Sequence, residues 1–216
     1  MTMTTPEIIG STRSTCVQAV RLVCEEKAID YVLTEKPLRA PEIRAIHPFA
    51  KMPVLRHGDF QLFESKAIAS YLDRSFPAPF LFPSDIRLAA LTEQWVSLVN
   101  TLMDHTLIRT YLYAYIAPKT ANGEPDRETI EAVMPALREQ IAVLDRAVAE
   151  TGYLVGDDIT FADLNLLPIL HRVQLAPEGA KALANATHLA RYFERHVARP
   201  SFQRTMPPPR PPDRSA

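Results

Sequence analysis

The chain has 216 residues, enough for one large domain or two small ones with cores of their own. Hydrophobic residues make up 47% and charged residues 23%, and the formal net charge is −1, a balance that suits an ordinary globular protein and gives no basis for nucleic-acid binding. No apolar run approaches the roughly 18 residues of a membrane span, and Met1 to Thr5 lack a basic stretch leading into an apolar one, so no membrane role and a cytoplasmic location are expected. Cys16 and Cys24 stand in one predicted helix with neither CxxC nor metal-ligand spacing, which argues against a disulfide framework and against a metal site.

From the N-terminus to about Pro77, strand and helix patterns alternate. Glu7-Ile8-Ile9-Gly10 reads as a strand, Ser11 to Thr15 as a polar turn, and Val17, Val20, Leu22, Val23 and Ala28 recur at roughly helical spacing. Tyr31-Val32-Leu33 suggests a second strand, and Pro41 to Ile46 one or two helical turns ending before His47-Pro48, because a proline disfavours the α conformation at the residue before it. Pro53 to Arg56, a turn at His57-Gly58-Asp59, and Phe60 to Phe63 form a hairpin signature. Glu64-Ser65 then opens a helix with Ala67, Ile68, Tyr71 and Leu72 on one face, giving the order β-α-β-α-β-β-α for residues 1–78.

The Pro-rich stretch 79–86 reads as a stiff linker. Residues 87–205 carry helical periodicity alone and form an expected all-α C-terminal domain. Within it Leu88, Leu91, Trp95, Leu98 and Leu102, spaced three and four apart, predict a core stripe. Met103, His105, Arg109, Tyr111, Tyr113 and Tyr115 are richer in polar and aromatic groups than packing alone requires. Pro135 and Pro168 inside helical patterns predict a break or kink at each. Thr160 and Asp163 have capping-box spacing, and residues 206–216 are too Pro-rich to build a core and are expected to be a disordered tail.

His47-Pro48-Phe49-Ala50-Lys51-Met52-Pro53-Val54-Leu55 followed by Phe63-Glu64-Ser65 resembles the glutathione-binding half of the cytosolic glutathione transferase family. Gly156 to Asp163 and Arg199-Pro200-Ser201-Phe202 resemble its helical half, so the likeness covers nearly the whole chain. It implies an α/β thioredoxin-like N-terminal domain, an all-α C-terminal domain whose Met103 to Tyr115 stretch lines the second-substrate pocket with Tyr111 or Tyr115 as a hydrogen-bond donor, glutathione as co-substrate, a small and mostly apolar electrophile as second substrate, and a homodimer. Phe49 stands where related proteins insert an aromatic side chain into the partner's helical domain.

The resemblance also assigns roles. The proline at the position of Pro53 is cis in this family, turning the Met52 N–H and C=O toward the cysteinyl unit of glutathione. Ser65, at a helix start, offers its hydroxyl and free N–H groups to the γ-glutamyl carboxylate, and Glu64 pairs with the ligand ammonium. Lys51 matches a position that contacts the glutathione backbone or its glycyl carboxylate. Ser14-Thr15-Cys16 resembles the Ser-Ser-Cys of the zeta class, and Ser14-Thr15 the Ser-Thr of the phi class; in both the first serine activates the thiol. On the residues alone, Ser14 and Ser65 are equally helix caps and Lys51 a solvated lysine. Cys16, two residues into a helix, keeps open a thioltransferase or reductase reading. A zeta-like maleylacetoacetate isomerase and a non-catalytic member used for protein contacts complete the alternatives.

Overall fold

The computed structural model describes residues 4–117, 120 and 123–208. The chain divides into two compact units: one runs to Ala78 and takes in the segment beginning at Pro200, the other is Pro79–Arg199.

The first unit contains β1 (Glu7–Gly10), α1 (Thr15–Glu26), β2 (Val32–Glu35), α2 (Pro41–Arg44), β3 (Val54–His57), β4 (Phe60–Phe63) and α3 (Ser65–Ser75). Its sheet has the order β2-β1-β3-β4, with β1 parallel to β2 and antiparallel to β3, and β3 antiparallel to β4. The parallel pair requires a crossover, which α1 supplies. Val17, Val20, Leu22 and Val23 of α1, Ile8 and Ile9 of β1, and Ile68 and Leu72 of α3 are all buried. Each such side chain contributes about 1.5–3 kcal/mol relative to exposure.

Buried cations reinforce this packing. Lys27 Nζ lies 3.2 Å from Asp73 Oδ1 and donates to the Pro77 carbonyl at 2.8 Å, tying the end of α1 to the end of α3. Arg21 donates to the carbonyls of Thr205 and Arg204 at 3.0 and 3.1 Å, at the C-terminus of α10 (Pro200–Thr205). These carbonyls have no partner within their own helix, so a guanidinium satisfies them and favours the negative helix end. The closing helix therefore sits on α1, whereas the sequence groups 200–205 with the preceding helices. Of the tail expected over 206–216, residues 209–216 lie outside the described residues.

The second unit holds α4 (Ile86–Leu98), a π-helical segment (Val99–Leu112), α5 (Tyr113–Ile116), α6 (Arg127–Ala147), α7 (Phe161–Val173), α8 (Pro177–Asn185) and α9 (Thr187–Val197). The linker docks on it: the Leu81 carbonyl accepts from Phe161 N at 2.8 Å, and Phe82 stacks on the Phe161 ring at 5.2 Å.

Three sequence expectations need correction here. The leucine stripe is not core: Leu91 is 43% exposed and Leu102 51%, whereas the buried seam is Thr92, Val96, Val99, Met103 and Leu107. Both seams have three-four spacing, so periodicity alone could not choose between them. Of the break or kink expected at each proline, the break is absent: α6 runs through Pro135 and α7 through Pro168. Pro135 removes a hydrogen bond to the Glu131 carbonyl, and both residues lie on the exposed side of α6. Finally, the segment after α4 is helical but wound as a π-helix, with Tyr113 N bonded to the Ile108 carbonyl five residues back.

The capping box stands as expected. Asp163 is fully buried, and its Oδ2 accepts from Thr160 N at 2.9 Å and Thr160 Oγ1 at 3.1 Å. Its Oδ1 accepts from Leu154 N at 2.9 Å and Tyr192 Oη at 3.2 Å, so one carboxylate joins the start of α7, the preceding loop and α9.

Candidate active site

Strand register brings the candidate residues to one end of the sheet. Ile9 pairs with Val54, and Val54 with Phe63. Gly10, Pro53 and Glu64 are the next residues outward along β1, β3 and β4, so three chain segments leave the sheet side by side. The segment after β1 turns through a Ser14 N to Ser11 carbonyl bond of 3.0 Å into α1, and the one after β4 enters α3 directly. Two helix N-termini, each with unsatisfied N–H groups, thus flank the loop that precedes β3.

Gly10 permits this convergence. A Cβ there would meet Val17 Cγ2 at 2.6 Å and Met52 Cβ at 3.2 Å, so any side chain would separate the first turn of α1 from the loop before β3. The Met52-Pro53 bond is cis, as the resemblance implies. Met52 Sδ accepts from Ser11 N at 3.2 Å, and Met52 packs against the buried group Ile9, Ala40, Ile43 and Val54.

Ser14 is the N-cap of α1. Its Oγ accepts from Val17 N at 3.4 Å, and its backbone is extended at φ −78° and ψ 128°. Capping uses a lone pair of the hydroxyl and leaves its proton to donate, so the structural and chemical roles are compatible. Cys16 is half-buried in the same first turn, while Cys24 is fully buried further along. Burial pushes the Cys24 thiol up to about 12, with the nearby Glu25 carboxylate acting in the same direction. Iodoacetamide at about pH 8 is therefore expected to alkylate Cys16 in the native protein and spare Cys24, as peptide mass mapping would show; labelling of Cys24 at the same rate would contradict this burial.

Ser65 is 7% exposed at the first position of α3, and Glu64 is its N-cap residue. Glu64 has φ 70° and ψ 118°, a backbone state that costs a non-glycine residue of order 1–3 kcal/mol, and Ala50 near the cis bond also has a positive φ of 52°. Such strain is maintained only where surrounding structure enforces it. A residue that motif reading passed over supplies part of that enforcement: His47, 3% exposed, accepts from Phe49 N at 3.0 Å through Nδ1, which leaves Nε2 as the protonated nitrogen, 3.5 Å from Glu64 Oε1. The Glu64 side chain is otherwise 68% exposed. Lys51 is exposed, and its ammonium has no polar partner among the described residues. No group of His, Cys, Asp or Glu among the described residues is placed to hold a metal.

Two tyrosine hydroxyls of the helical unit are engaged within that unit. Tyr111 is fully buried; its hydroxyl accepts from Gly179 N at 2.7 Å and donates to Glu178 Oε2 at 3.2 Å. Tyr115 donates to the same carboxylate oxygen, and Arg127 Nη1 donates to Tyr115 Oη at 3.1 Å and Glu178 Oε1 at 3.0 Å. Burial holds the Tyr111 phenol above its ordinary range. Both hydroxyls are spent on fastening α8, across more than 60 residues of sequence that no local pattern connects.

Comparison with known proteins agrees with this geometry. The family model described as the glutathione S-transferase N-terminal domain matches residues 8–80, and that of the C-terminal domain matches residues 102–200. Glutathione S-transferase 3 of Zea mays is 30% identical over 97% of this chain and 98% of its own length. This chain belongs to the glutathione S-transferase family. Among solved structures, glutathione S-transferase III in apo form is 28% identical with a TM-score of 0.83, covering 96% of this transferase and all of that chain. A theta-class glutathione S-transferase from Xanthomonas axonopodis pv. citri, solved with glutathione bound, is 26% identical with a TM-score of 0.79 over 94% of this chain and 98% of its own. The fold of this transferase is accordingly a thioredoxin-like unit with a four-stranded sheet plus a helical unit.

Proposed function

We propose that the protein joins the thiolate of glutathione to a small, mostly apolar electrophile, with glutathione bound at the sheet end where Ser14, Met52-Pro53 and Glu64-Ser65 converge. The observation that carries this reading is the convergence itself: two helix N-termini and a cis-proline loop meet at one end of one sheet. Met52 offers main-chain groups to the cysteinyl unit, Ser65 and the α3 N-terminus take the γ-glutamyl carboxylate, Glu64 takes the ammonium, and Lys51 takes the glycyl end. Ser14 donates to the sulfur. A free thiol has a pKa near 8.5, and lowering it by about two units requires about 2.7 kcal/mol in favour of the thiolate. The α1 N-terminus supplies up to ~2 kcal/mol and one hydroxyl donor about 1.5–3, which together suffice. Residues 1–78 act as the glutathione-binding domain, with 200–205 packed on it, and 87–199 as the domain of the second substrate, joined through 79–86.

Calorimetry tests the binding step. Wild-type protein is expected to bind glutathione, and Ser65→Ala to weaken it about tenfold through loss of one hydroxyl contact to a carboxylate. Absence of heat with wild type would end this reading.

The protein acts as a cytoplasmic homodimer in this reading, a cytosolic location being usual for the family. Phe49 is 78% exposed, and Ile86, Leu91 and Leu102 are further large apolar side chains that stand exposed. Burial of such side chains between copies of the chain supports a contact surface. Light scattering is expected to report twice the chain mass, and Phe49→Ala to shift the equilibrium toward half that value. A wild-type monomer at micromolar concentration would refute the dimer.

A further inference from the structure

We propose that Glu35, the last residue of β2, is a positioning residue for thiol activation: it clamps the turn that carries Ser14 and so sets where the Ser14 hydroxyl stands. The proposal rests on the reading of Ser14 as donor to the glutathione sulfur and extends it to a residue of another strand. Parallel register places Gly10 opposite Glu35, and Lys36 N donates to the Gly10 carbonyl at 3.2 Å. At that point β1 ends, and the chain crosses to α1 through Ser11, Thr12 and Arg13, outside both elements. One oxygen of Glu35, Oε1, gathers the donors of this crossing: Thr12 Oγ1 at 2.9 Å, Thr12 N at 3.4 Å and Ser11 Oγ at 3.5 Å. Ser11 Oγ accepts in turn from Arg13 N at 3.3 Å, and the Ser11 carbonyl from Ser14 N at 3.0 Å. Each residue from Ser11 to Ser14 is thus tied to the Glu35 carboxylate, directly or through Ser11.

The turn has one further tether, Ser11 N to Met52 Sδ at 3.2 Å, and a thioether is a weak acceptor. The cap bond of Ser14 to Val17 N, at 3.4 Å, is long, so the hydroxyl takes its place from the backbone beneath it. Placement matters because a group misplaced by about 1 Å can cost on the order of 10² in rate. A serine on an unclamped turn would sample several positions, few of which aim its proton at the sulfur. The charge of Glu35 acts in the opposite direction, since a carboxylate near a thiol opposes its ionisation. Geometry and charge therefore predict opposite signs when the residue is replaced.

The test reads the pKa of glutathione bound to the whole protein, as thiolate absorbance against pH, together with kcat and KM for conjugation of chlorodinitrobenzene. Glu35→Ala is expected to raise that pKa by about 0.5–1 unit and to lower kcat about three- to tenfold at neutral pH. The KM for glutathione should change less than about twofold, because Lys51, Glu64 and Ser65, assigned to the charged ends of the ligand, stand on other segments. Glu35 is exposed, so neither the alanine nor the glutamine variant should unfold the protein. Glu35→Gln keeps an acceptor oxygen and is expected to stay within about twofold of wild type in kcat. In a Ser14→Ala background Glu35→Ala should add almost nothing, since the clamp acts through the Ser14 hydroxyl. A fall in the pKa for Glu35→Ala, which loss of charge alone would give, would overturn the assignment. So would equal losses in the alanine and glutamine variants, or a Glu35→Ala effect of the same size with and without Ser14. Ser14→Ala raising the pKa while Glu35→Ala leaves it unchanged would refute this proposal alone, whereas Ser14→Ala without effect would refute the serine reading beneath it and the proposal together.

Discussion

Ser14→Ala is expected to lower conjugation of a generic electrophile at neutral pH by about 10- to 100-fold, the loss of one hydrogen bond to a developing or formed anion. The same substitution should raise the pKa of bound glutathione, readable as thiolate absorbance of the complex against pH. The direction follows from the geometry. The Ser14 hydroxyl stands at the positive end of α1, where its oxygen is fixed by Val17 N and its proton is available to a sulfur held beside Met52. Alanine would remove the donor and leave the helix end, so the thiolate would keep part of its stabilisation and activity would fall without vanishing. Cys16→Ser should leave conjugation largely intact, because a residue two further along the helix is rotated by about 200° from Ser14. If Cys16→Ser abolished turnover, or if a mixed disulfide with glutathione formed at Cys16 during catalysis, the thioltransferase chemistry would replace the serine mechanism.

Asp163→Ala is expected to destabilise the protein by about 3–5 kcal/mol, measured by urea unfolding, the range found when a buried charged partner is removed. Four donors converge on this carboxylate, from Thr160 twice, Leu154 and Tyr192, and alanine would strand them all in the interior. Asp163→Asn should cost less, since it retains an acceptor. The two variants also separate charge from hydrogen bonding through pH. Burial raises the Asp163 carboxyl above its ordinary value, so the folded state holds its proton more tightly than the unfolded chain does. That contribution is fully present below the unfolded carboxyl pKa and is lost as pH rises through the folded value. Asp163→Asn should therefore flatten the wild-type decline in stability across that interval. A cost below about 1 kcal/mol for alanine would show that the donors find other partners.

Much of the first unit was legible because its signals are local. The β1, β3 and β4 patterns lie within a residue of the observed strands, and the compound motif from His47 to Ser65 fell where register brings its parts together. The second unit was legible as helices but not as packing. A leucine repeat with three-four spacing identifies an apolar seam without saying whether the chain itself covers it, and here Val96, Val99, Met103 and Leu107 face inward in place of the leucines. The fate of Tyr111 and Tyr115 depended on Glu178, and that of α10 on Arg21, which donates to carbonyls more than 180 residues away. Such partners have no signature in a window of ten or twenty residues. His47 was visible within the motif, yet its bond to Glu64 required the fold.

The π-helical winding of Val99–Leu112 changes how position should be compared across relatives in this region. Each turn there consumes close to one residue more than an α-turn, so a heptad count carried forward from α4 loses its phase within two turns. A relative that tightened the segment to ordinary α-winding would cover the same length with fewer residues. Equivalent side chains would then fall at unequal sequence offsets although they occupied the same places in space. Equivalence along this stretch is therefore a matter of turns, and an alignment gap within it records a change of pitch as readily as the loss of a loop.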